Sequence, residues 1–485
     1  MSKKINKLTK ILIPSETSSG ERRVSASPEV VKKLKSLGCD VYIESAAGKL
    51  SGFSDVSYEE SGGTIISDLD QNIWSEADII FCVQTPSEDN LIKLKKGAIL
   101  IGLLNPYGNK DLLKIINSNK ISALSLELLP RISRAQSSDV LSSQANIAGY
   151  KAVLLAASEL DRYFPMLMTA AGTVQPAKVV VLGGGVAGLQ AVATAKRLGA
   201  IVFVSDIRPA VKEQVESLGA RFIELPEVDE KPGEAGGYAK AVTPEFLSKQ
   251  TATLTKYLSE ADVAICTAQV LGKKAPVLID TPMLEKMRSG SVVIDLAVLQ
   301  GGNCEGTKSN ETIIKDGVKL IGAGELPSSV PYDASSLYAK NLTSLITPFI
   351  KDGVIKLDKE DELISGCLLS DEGVILQNKV FENWGFKIMS FISLLWVLLL
   401  GSLLGLELIG KVPPTLHTPL MSGANAISGI TMLAALTLIV KAEGNLPLLI
   451  IGSVSLGFAL FNVVGGFFVT DRMLAMFSRK PSNKK

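Results

Sequence analysis

The sequence predicts an α/β protein with two doubly wound parallel-sheet domains, followed by an all-helical transmembrane tail. Three observations support this prediction. Short apolar segments alternate with amphipathic segments in two successive series, a glycine-rich segment opens the second series, and long uncharged segments begin near residue 388. Strands that alternate with helices form parallel sheets with crossover helices, and uncharged segments of this length suit the core of a bilayer.

The composition limits the classes of function. At 485 residues the chain is long enough for about three or four domains. Its 50 Lys and Arg residues balance 49 Asp and Glu residues, so no overall positive field would attract nucleic acid. The cysteines number five and include no Cys-x-x-Cys pair, which argues against a disulfide framework and a zinc site. We therefore expect no nucleic-acid partner, no bound metal, and a soluble part that faces a reducing compartment.

The first series predicts a domain over residues 1–137 that is completed by about residues 330–375. Its strands are expected in ILIPSE, CDVYIE, ADIIFCV, GAILIGLL and KISALSLELL, and its first helix in SPEVVKKLKSLG. We interpret Lys10–Ile13 as the first strand and not as part of a targeting sequence, because the segment lacks a signal-peptide core. An Ala- and Leu-rich stretch, Ser137–Tyr163, is predicted to be a helix that crosses to the second domain, which we expect over residues 138–329.

The second series carries a glycine fingerprint of Rossmann-like domains. Gly183-x-Gly185-x-x-Gly188 follows the predicted strand Lys178–Leu182 and opens the predicted helix Ala187–Leu198. In such a loop the first glycine permits the tight turn, the second lets the backbone approach a pyrophosphate, and the third lets helix and strand pack closely. The pyrophosphate then lies on the free N–H groups of the helix. This complete context favours dinucleotide binding over a purely structural glycine turn.

Asp206 ends the next predicted strand, Ile201–Ser205, about 20 residues after the glycine loop. A carboxylate at this place accepts hydrogen bonds from an adenosine ribose and would repel a 2'-phosphate, so it favours NAD over NADP. Arg208 lies close by in the sequence, and we interpret it as a partner of Asp206.

A polar segment, PRISRAQSSD at residues 130–139, lies just before the predicted crossing helix. The candidate site residues at the start of that helix are Ser138, Asp139, Ser142, Ser143 and Gln144. The same residues are equally explained as caps of the helix, because Ser and Asp are favoured at helix N-termini. The residue types alone leave both interpretations open.

Longer segments of the sequence resemble one family. They are PRISRAQSSDVLSSQANIAGYKAV, VVLGGGVAGLQAVATAKRLGA, VSDIRPAVKEQVESLGARF, GGYAKAV, VIDLAVLQGGNCEGT and, in the tail, LHTPLMSGANAISG. Nearly the whole chain resembles the alpha subunit of proton-translocating NAD(P) transhydrogenase. The region before the tail is also similar to alanine dehydrogenase, including the opening ERRVSASPEVVKKL, but alanine dehydrogenase has no membrane tail. The tail therefore favours the transhydrogenase.

The resemblance implies a site in two halves. One half surrounds the nicotinamide and its ribose, with Arg131, Gln136, Asp139 and Ser142 as catalytic residues and with Ile132, Ser133 and Arg134 also in contact with the cofactor. The other half binds the rest of NAD(H) through Gly183, Gly185, Val186, Ala187, Gly188, Asp206, Ile207, Arg208, Thr267, Ala268 and Gln269. Tyr238 matches the tyrosine of a mobile loop that closes over the nucleotide, and Gly237 beside it suits such a loop because glycine tolerates wide backbone excursions.

The histidine count bears on the chemistry. His417, in the tail, is the single histidine of the chain, so neither nucleotide-fold domain offers the histidine that hydroxy-acid dehydrogenases use as an acid or base. Hydride transfer between two nicotinamide rings needs no such group, because no oxygen changes its protonation.

With one glycine fingerprint and an acidic Asp206, the chain is expected to bind NAD(H) and not NADP(H). By resemblance, NADP(H) is bound by the beta subunit, and NADH reduces NADP as protons cross the membrane.

The resemblance also implies an assembly and a location. The expected partners are the beta subunit, a second alpha subunit in an alpha2-beta2 assembly, and the lipid bilayer. The expected location is the bacterial inner membrane, with the soluble region in the cytoplasm and a multi-pass tail. We expect a linker at residues 376–386, the transmembrane helices within residues 387–472, and a basic C-terminal end at residues 473–485.

Three segments of the tail are candidate membrane helices, namely Ile388–Leu406, Gly423–Val440 and Leu446–Thr470. Several relatives carry two spans before HTPLM, whereas this chain has one hydrophobic run there. Three crossings would place the soluble region and the basic end on opposite sides, against the positive-inside tendency. We therefore hypothesise that the first run re-enters or lies shallowly, and two, three or four crossings stay open.

Polar residues within the tail have two interpretations. They contribute to the proton path, or they form hydrogen bonds between helices beside small residues, which is the interpretation we favour. The residues concerned are His417, Asn425 and Asn462.

Two other functions stay open at this point. The first is a membrane-tethered oxidoreductase, similar to alanine dehydrogenase, that acts on a small amino acid. The second is a noncatalytic subunit that senses NAD and regulates a membrane partner. Turnover of NADH with an oxidised NADP analogue, with and without the beta subunit, distinguishes all three functions.

Overall fold

The computed structural model divides the chain into two compact units, residues 1–386 and 387–485. In the first unit the structure describes residues 8–67, 72–224, 244–270 and 272–377. In the second unit it describes residues 396, 399–405, 407, 411, 429, 431–437, 439–440 and 446–477.

A first sheet contains the strands β1 (Lys10–Ile13), β2 (Asp40–Glu44), β3 (Thr64–Ile66), β4 (Ile79–Phe81), β5 (Ile99–Gly102), β6 (Ser122–Ser125), β18 (Leu368–Asp371) and β19 (Val374–Ile375). Among the described residues their order is β19-β18-β6-β5-β4-β1-β2-β3. Strands β1 to β6 are parallel to their neighbours, whereas β18 and β19 extend the sheet antiparallel at the β6 edge. The expected first strand is confirmed.

The strands of the first sheet are connected by the helices α1 (Pro28–Ser36), α2 (Asp55–Glu60), α3 (Asn72–Glu76), α4 (Glu88–Lys93) and α5 (Lys110–Asn119). The start of α1 illustrates why these helices begin where they do. The side chain of Ser27 accepts a hydrogen bond from the backbone N–H of Val30, and Pro28 occupies the first turn. Both features are favoured at helix N-termini. Val30, Val31 and Leu34 then form the buried face of α1.

The crossing helix α6 (Val140–Glu159) is shorter at both ends than the predicted Ser137–Tyr163. A 3-10 helix over Ser133–Ser138 precedes it, and Asp139 caps α6 by accepting a hydrogen bond from the backbone N–H of Ser142. At the other end Leu160 adopts an extended conformation. A hairpin follows, with strands β7 (Leu167–Thr169) and β8 (Gly172–Val174).

A second sheet contains the strands β9 (Lys178–Leu182), β10 (Ile201–Ser205), β11 (Arg221–Phe222), β12 (Val263–Cys266), β13 (Val292–Asp295), β14 (Thr312–Lys315) and β15 (Val318–Gly322). Their order among the described residues is β11-β10-β9-β12-β13-β15-β14, with β14 antiparallel to β15. The order reverses between β9 and β12, and in parallel sheets ligands bind in the crevice outside the carboxyl ends of the strands at such a reversal. The helices of this region are α7 (Val186–Arg197), α8 (Val211–Ser217), α9 (Pro244–Ser259) and α10 (Thr281–Leu284).

After the second sheet the chain returns to the first. Helix α11 (Pro331–Ile346) contributes Tyr338, Leu342 and Ile346 to the core of the first sheet. The short strands β16 (Ile350–Lys351) and β17 (Val354–Ile355) and the helix α12 (Glu362–Cys367) follow. The sequence prediction of two α/β domains with parallel sheets is therefore confirmed.

The cores explain the continuous apolar runs of the sequence. In β9, β12 and β13 nearly every residue is buried, because helices cover both faces of a parallel sheet. All five cysteines are buried and unpaired. Burial raises the pKa of Cys266 and Cys82 far above the ordinary value of a thiol, so these side chains serve packing and are unreactive.

In the second unit the structure describes a helix over Leu446–Phe477, which starts at the first residue of the third predicted span. Within the described residues, no helix reaches the combined length and apolar character that a membrane crossing requires. Asn462 lies in the helix just named and its side chain is exposed. His417 and Asn425 lie outside the described residues.

Candidate functional site

The loop between β9 and α7 has the geometry that the glycine fingerprint predicts. Gly183 adopts a φ of +106°, and a Cβ there would lie 2.6 Å from Oγ1 of Thr267. A Cβ at Gly188 would lie 1.9 Å from the carbonyl oxygen of Gly183. Around Gly185 no described heavy atom lies within 4 Å of the position a Cβ would take. Two glycines therefore permit the turn and the close packing, and the third leaves room for a ligand above the N-terminus of α7.

Asp206, just after β10, connects its strand end to the glycine loop. Its Oδ2 accepts a hydrogen bond from the backbone N–H of Gly184 at 2.6 Å. The Arg208 guanidinium donates to both carboxylate oxygens at 2.9 Å, and the Arg208 backbone N–H donates to Oδ1 at 2.8 Å. Burial raises the pKa of Asp206, but these hydrogen bonds outweigh burial and hold its pKa below the ordinary range. The carboxylate is charged at neutral pH, and the predicted pairing of Arg208 with Asp206 is confirmed.

The strand end after β12 carries Thr267, Ala268 and Gln269. Thr267 donates its hydroxyl to the carbonyl oxygen of Gly183 at 2.9 Å, so the end of β12 is attached directly to the glycine loop. Asn303 holds the next residue twice, by accepting from the backbone N–H of Ala268 at 3.0 Å and donating to its carbonyl oxygen at 2.9 Å. Gln269 is exposed, and its side-chain amide donates to the carbonyl oxygen of Leu296.

Asp295 holds the backbone around Asn303 in place, a role that was not predicted from the sequence. Its side chain is fully buried and accepts hydrogen bonds from the backbone N–H groups of Ala297, Asn303 and Cys304 and from the hydroxyl of Thr307. An acidic residue at the end of an apolar strand, followed by two glycines, was the available signal for Asp295 and Asn303.

The residues expected around the nicotinamide lie on the turn before α6. Arg131, Ser133, Arg134 and Gln136 are exposed there, and Ile132 is partly buried. Asp139 accepts hydrogen bonds from the backbone N–H of Ser142 at 2.9 Å and from its hydroxyl at 2.5 Å. Asp139 is therefore the cap of α6, as one of the two open interpretations held.

The two halves of the expected site are joined by helix packing. A Cβ at Gly149 of α6 would lie 2.0 Å from the carbonyl oxygen of Ala187, in the first turn of α7. Asn146 also donates to Oε1 of Gln190 at 3.2 Å. Because Gly149 lies nine residues after the start of α6, the turn before α6 stands about 14 Å along the helix from this contact. The crossing helix thus sets the distance between the glycine loop and the exposed turn.

A buried ionic network lies where the first domain meets α6. Arg23 donates to Glu21 through Nε and Nη2 and to Gln144 of α6 through Nη1. Burial raises the pKa of Glu21, but the contacts with Arg23 outweigh burial and hold its pKa at about 2. Glu16 accepts hydrogen bonds from the backbone N–H groups of Val83 and Gln84, yet burial raises its pKa to about 7.

In the second half of the expected site, the structure brings the ends of three strands together. Gly183, Asp206 and Thr267 lie at these strand ends. Val186, Ile207 and Arg208 are exposed beside them, and Ala187 is partly buried. Gly237 and Tyr238 lie outside the described residues. Within the described residues, no group of three or more His, Cys, Asp or Glu side chains is arranged to hold a metal ion.

Comparison with known proteins identifies the family. Residues 12–148 match the alanine dehydrogenase/PNT N-terminal domain, residues 152–378 match the C-terminal domain of the same family, and residues 394–479 match the 4TM region of pyridine nucleotide transhydrogenase. The chain is 38% identical over 511 residues to NAD(P) transhydrogenase subunit alpha of Haemophilus influenzae, covering 96% of this chain and 99% of that protein. The chain belongs to the NAD(P) transhydrogenase alpha subunit family.

Other relatives agree with this assignment. The chain is 36% identical over 524 residues to NAD(P) transhydrogenase subunit alpha of Cereibacter sphaeroides, covering 97% of this chain and 100% of that protein. A crystal structure of transhydrogenase from Sinorhizobium meliloti matches with a TM-score of 0.69 and 42% identity, covering 76% of this chain and 100% of that one. A solved L-alanine dehydrogenase shares the fold, with a TM-score of 0.64, 24% identity, and coverage of 78% of this chain and 99% of that one. The family resemblance drawn from the sequence is confirmed.

Proposed function

We propose that this chain is the NAD(H)-binding subunit of a proton-translocating NAD(P) transhydrogenase, and that it passes hydride from NADH to NADP bound by the beta subunit. The observation that best supports the proposal is that hydrogen bonds connect the carboxyl ends of β9, β10 and β12. We call the residues at these ends, Gly183, Asp206 and Thr267, the junction. It occurs in a chain that matches a transhydrogenase alpha subunit over nearly its full length.

The junction suits the adenosine and pyrophosphate groups of NADH. The pyrophosphate would lie on the N-terminus of α7, over the open space at Gly185. The adenosine ribose would donate its hydroxyls to Asp206 in place of the Arg208 guanidinium, whose side chain is exposed. The charged Asp206 would repel the 2'-phosphate of NADP(H). Val186, Ala187, Gly188, Ile207, Thr267, Ala268 and Gln269 would complete the contacts, together with Gly237 and Tyr238.

The nicotinamide and its ribose would lie on the turn before α6. Arg131 and Gln136 are exposed there and would orient the carboxamide and the ring, with Asp139 and Ser142 at the ribose. Ile132, Ser133 and Arg134 would line the remaining side. The close packing of α6 on α7 would hold this turn in place relative to a pyrophosphate at the glycine loop, so that the reactive ring is presented in one position.

The reaction requires that the two nicotinamide rings be held in position, and it does not require acid or base catalysis. In NADH plus NADP⁺ giving NAD⁺ plus NADPH, one hydride leaves one ring and joins the other, and no proton is exchanged between the rings and the protein. The chain has a single histidine, His417, outside both α/β domains. Such a reaction needs groups that orient the two rings, and Arg131 and Gln136 would orient the ring of NADH.

An alanine-dehydrogenase-like activity is less well supported. Oxidation of a small amino acid needs a cation for the substrate carboxylate and a group that accepts a proton. The buried Arg23 is already directed at Glu21 and Gln144. Residues 394–479 also match the 4TM region of pyridine nucleotide transhydrogenase, which supports a transhydrogenase over a membrane-tethered dehydrogenase.

The tail would place the chain in the bacterial inner membrane, with the α/β domains in the cytoplasm. This location is supported by the match of residues 394–479 to the 4TM region and by the uncharged segments that begin at Ile388. We divide the chain into a first domain at residues 1–137 and 330–375, a second at 138–329, a linker at 376–386 and a membrane region at 387–472.

A second alpha subunit would complete an alpha2-beta2 assembly. The β7–β8 hairpin and the segment before it expose apolar side chains, with 61% of Tyr163, 56% of Met166 and 79% of Met168 accessible. An exposed apolar surface of this kind suits a self-complementary contact between two copies.

The test uses the full chain in membranes with and without the beta subunit. We expect NADH to reduce an oxidised NADP analogue only when both subunits are present, and to bind the alpha chain in the absence of beta. Activity with pyruvate and ammonia in the absence of beta would instead indicate the dehydrogenase. NADH binding without turnover in the complete complex would indicate a sensor and contradict the proposal.

A further inference from the structure

The turn that contains Gln136 contacts a segment of the chain about 200 residues later in the sequence. We call residues 130–138 the site turn and residues 331–367, with helices α11 and α12, the return segment. Most side chains of the site turn are exposed, and only Ala135 and Ser138 are fully buried. The turn therefore has little core of its own to hold it.

Ala135 and Ile132 of the site turn pack in the core that α11 and α12 complete, and three further contacts fix the turn to the return segment. At its start, the ring of Pro130 packs against Gly366 so closely that a Cβ there would lie 2.6 Å from the proline Cδ. In its middle, the Arg134 guanidinium pairs with Asp361, which also caps α12. At its end, Nδ2 of Asn341 in α11 donates a hydrogen bond to the carbonyl oxygen of Ser137 at 2.8 Å.

The contact of Asn341 differs from the other two. It holds the backbone next to Gln136, and unlike the Arg134–Asp361 ion pair it does so through a neutral amide that salt does not screen. The Oδ1 of Asn341 is buried and has no hydrogen-bond partner among the described residues. Leaving a buried acceptor unpaired lowers stability, so an asparagine at this position stabilises the fold less than an apolar residue of the same size would. The hydrogen bond from Nδ2 of Asn341 therefore fixes the position of the site turn more than it stabilises the domain.

We propose that Asn341 is a positioning residue for hydride transfer, which keeps the site turn, and with it Gln136, in place under the nicotinamide. The inference rests on the proposed function, because it concerns the same site. Asn341 acts through the backbone carbonyl of Ser137. Asp361 supports the same turn through Arg134.

The decisive variant is Asn341→Leu in the complete alpha–beta complex. Leucine has a similar size, removes the donor, and also removes the unpaired acceptor, so we expect a thermal midpoint equal to or above that of the unchanged protein. We expect the single-turnover rate of hydride transfer to fall about ten- to a hundredfold, because misplacement of a reacting group by about 1 Å costs a factor of this order. The KM for NADH should stay within about twofold, since the glycine loop is untouched.

A matched control is Lys340→Ala, the preceding residue of the same helix. Its side chain is exposed and pairs with Glu29, away from the site turn, and we expect an unchanged rate. A second variant, Asp361→Asn, retains an acceptor for the cap of α12 but removes the charge that pairs with Arg134. We expect Asp361→Asn to lower the hydride-transfer rate and to leave the KM for NADH unchanged. This variant tests the attachment of the site turn to the return segment even if Asn341→Leu folds poorly.

The outcomes separate the two proposals. If the unchanged complex and Lys340→Ala transfer hydride and both Asn341→Leu and Asp361→Asn do so at the same rate, the positioning role is wrong and the proposed function stands. A rate loss that is matched by an equal loss of thermal stability would also overturn the positioning role. If the unchanged complex neither binds NADH nor transfers hydride, the proposed function fails, and this inference fails with it.

Discussion

Gly149 of the crossing helix lies directly against Ala187 of the glycine-loop helix, and a Cβ at position 149 would stand 2.0 Å from the Ala187 carbonyl oxygen. The contact occurs midway along α6, whose N-terminal end carries Asp139 and Ser142. It therefore couples the position of the exposed turn to that of the glycine loop. No side chain larger than hydrogen fits without moving one of the two helices.

Substitution Gly149→Ala should separate α6 from α7. We expect a loss of about 1–3 kcal/mol in the free energy of unfolding, as overpacking of a close contact usually costs, and weaker NADH binding because the N-terminus of α7 shifts. Urea unfolding and equilibrium dialysis measure both quantities. The control is Asn146→Ala on the same helix, which loses a single exposed hydrogen bond to Gln190. A Gly149→Ala chain with unchanged stability would contradict the close packing.

Substitution Asp206→Asn should weaken NADH binding while the fold stays intact. Asparagine retains an oxygen that can accept from the backbone N–H of Gly184, but it loses the charge that strengthens hydrogen bonds from the ribose. We expect the Kd for NADH to rise about tenfold, which corresponds to about 1.4 kcal/mol. Equilibrium dialysis measures the change, with the exposed Glu224→Gln as a control for loss of one negative charge. Equal affinity would remove Asp206 from the ribose site.

Substitution Gln136→Ala should slow hydride transfer far more than it affects folding. The side chain is exposed, so we expect a change in stability within about 0.5 kcal/mol. We expect the single-turnover rate with the beta subunit to fall by about a hundredfold, because the ring would lose its orientation. The control is Ser137→Ala, since it is the backbone carbonyl of Ser137 that contacts Asn341. A normal rate in the Gln136 variant would exclude Gln136 from the site.

Glu16 should make the stability of the α/β unit depend on pH near neutrality. Burial raises its pKa from 4.5 to about 7, so the folded protein holds a proton that the unfolded chain releases. A raised pKa contributes stability that is fully present below pH 4.5 and is lost as the pH rises through about 7. Because the Glu16 side chain is partly exposed, solvent screening reduces the energy that the pKa shift represents. We expect Glu16 to contribute about 2 kcal/mol to the free energy of unfolding.

The substitution Glu16→Gln tests this contribution, because glutamine stays neutral at every pH. Urea unfolding at pH 5 and pH 8 should show the unchanged protein losing more stability than the variant between the two values. Identical pH dependence in both proteins would show that Glu16 titrates at its ordinary pKa.

The features of the site that could be predicted from the sequence are those encoded by short spacings along the chain. Gly183 and Asp206 belong to one strand–loop–helix–strand unit, so their proximity follows from chain order and periodicity. Residue type and local spacing were enough at these two positions. For Asp139 they offered capping of α6 only as one of two interpretations.

The supporting contacts could not be predicted in this way. Asn341 and Ser137 are 204 residues apart, and neither residue type indicates such a contact. Asp295 and Asn303 are buried polar residues whose role depends on which backbone groups the fold leaves unpaired. The length of α6 was also overestimated, because Ser137 and Ser138 belong to the 3-10 helix before the capping residue and the extended Leu160 ends the helix early.

The return of β18 and β19 to the edge of the first sheet has a consequence for synthesis on the ribosome. The strands of the second sheet all lie between Lys178 and Gly322, whereas the first sheet needs residues up to Ile375. The first sheet therefore cannot be completed, and its β6 edge stays unpaired, until the residues of the second sheet have been synthesised. The second sheet, although it begins later in the sequence, can be completed before the first, and β18 and β19 are synthesised just before the hydrophobic tail.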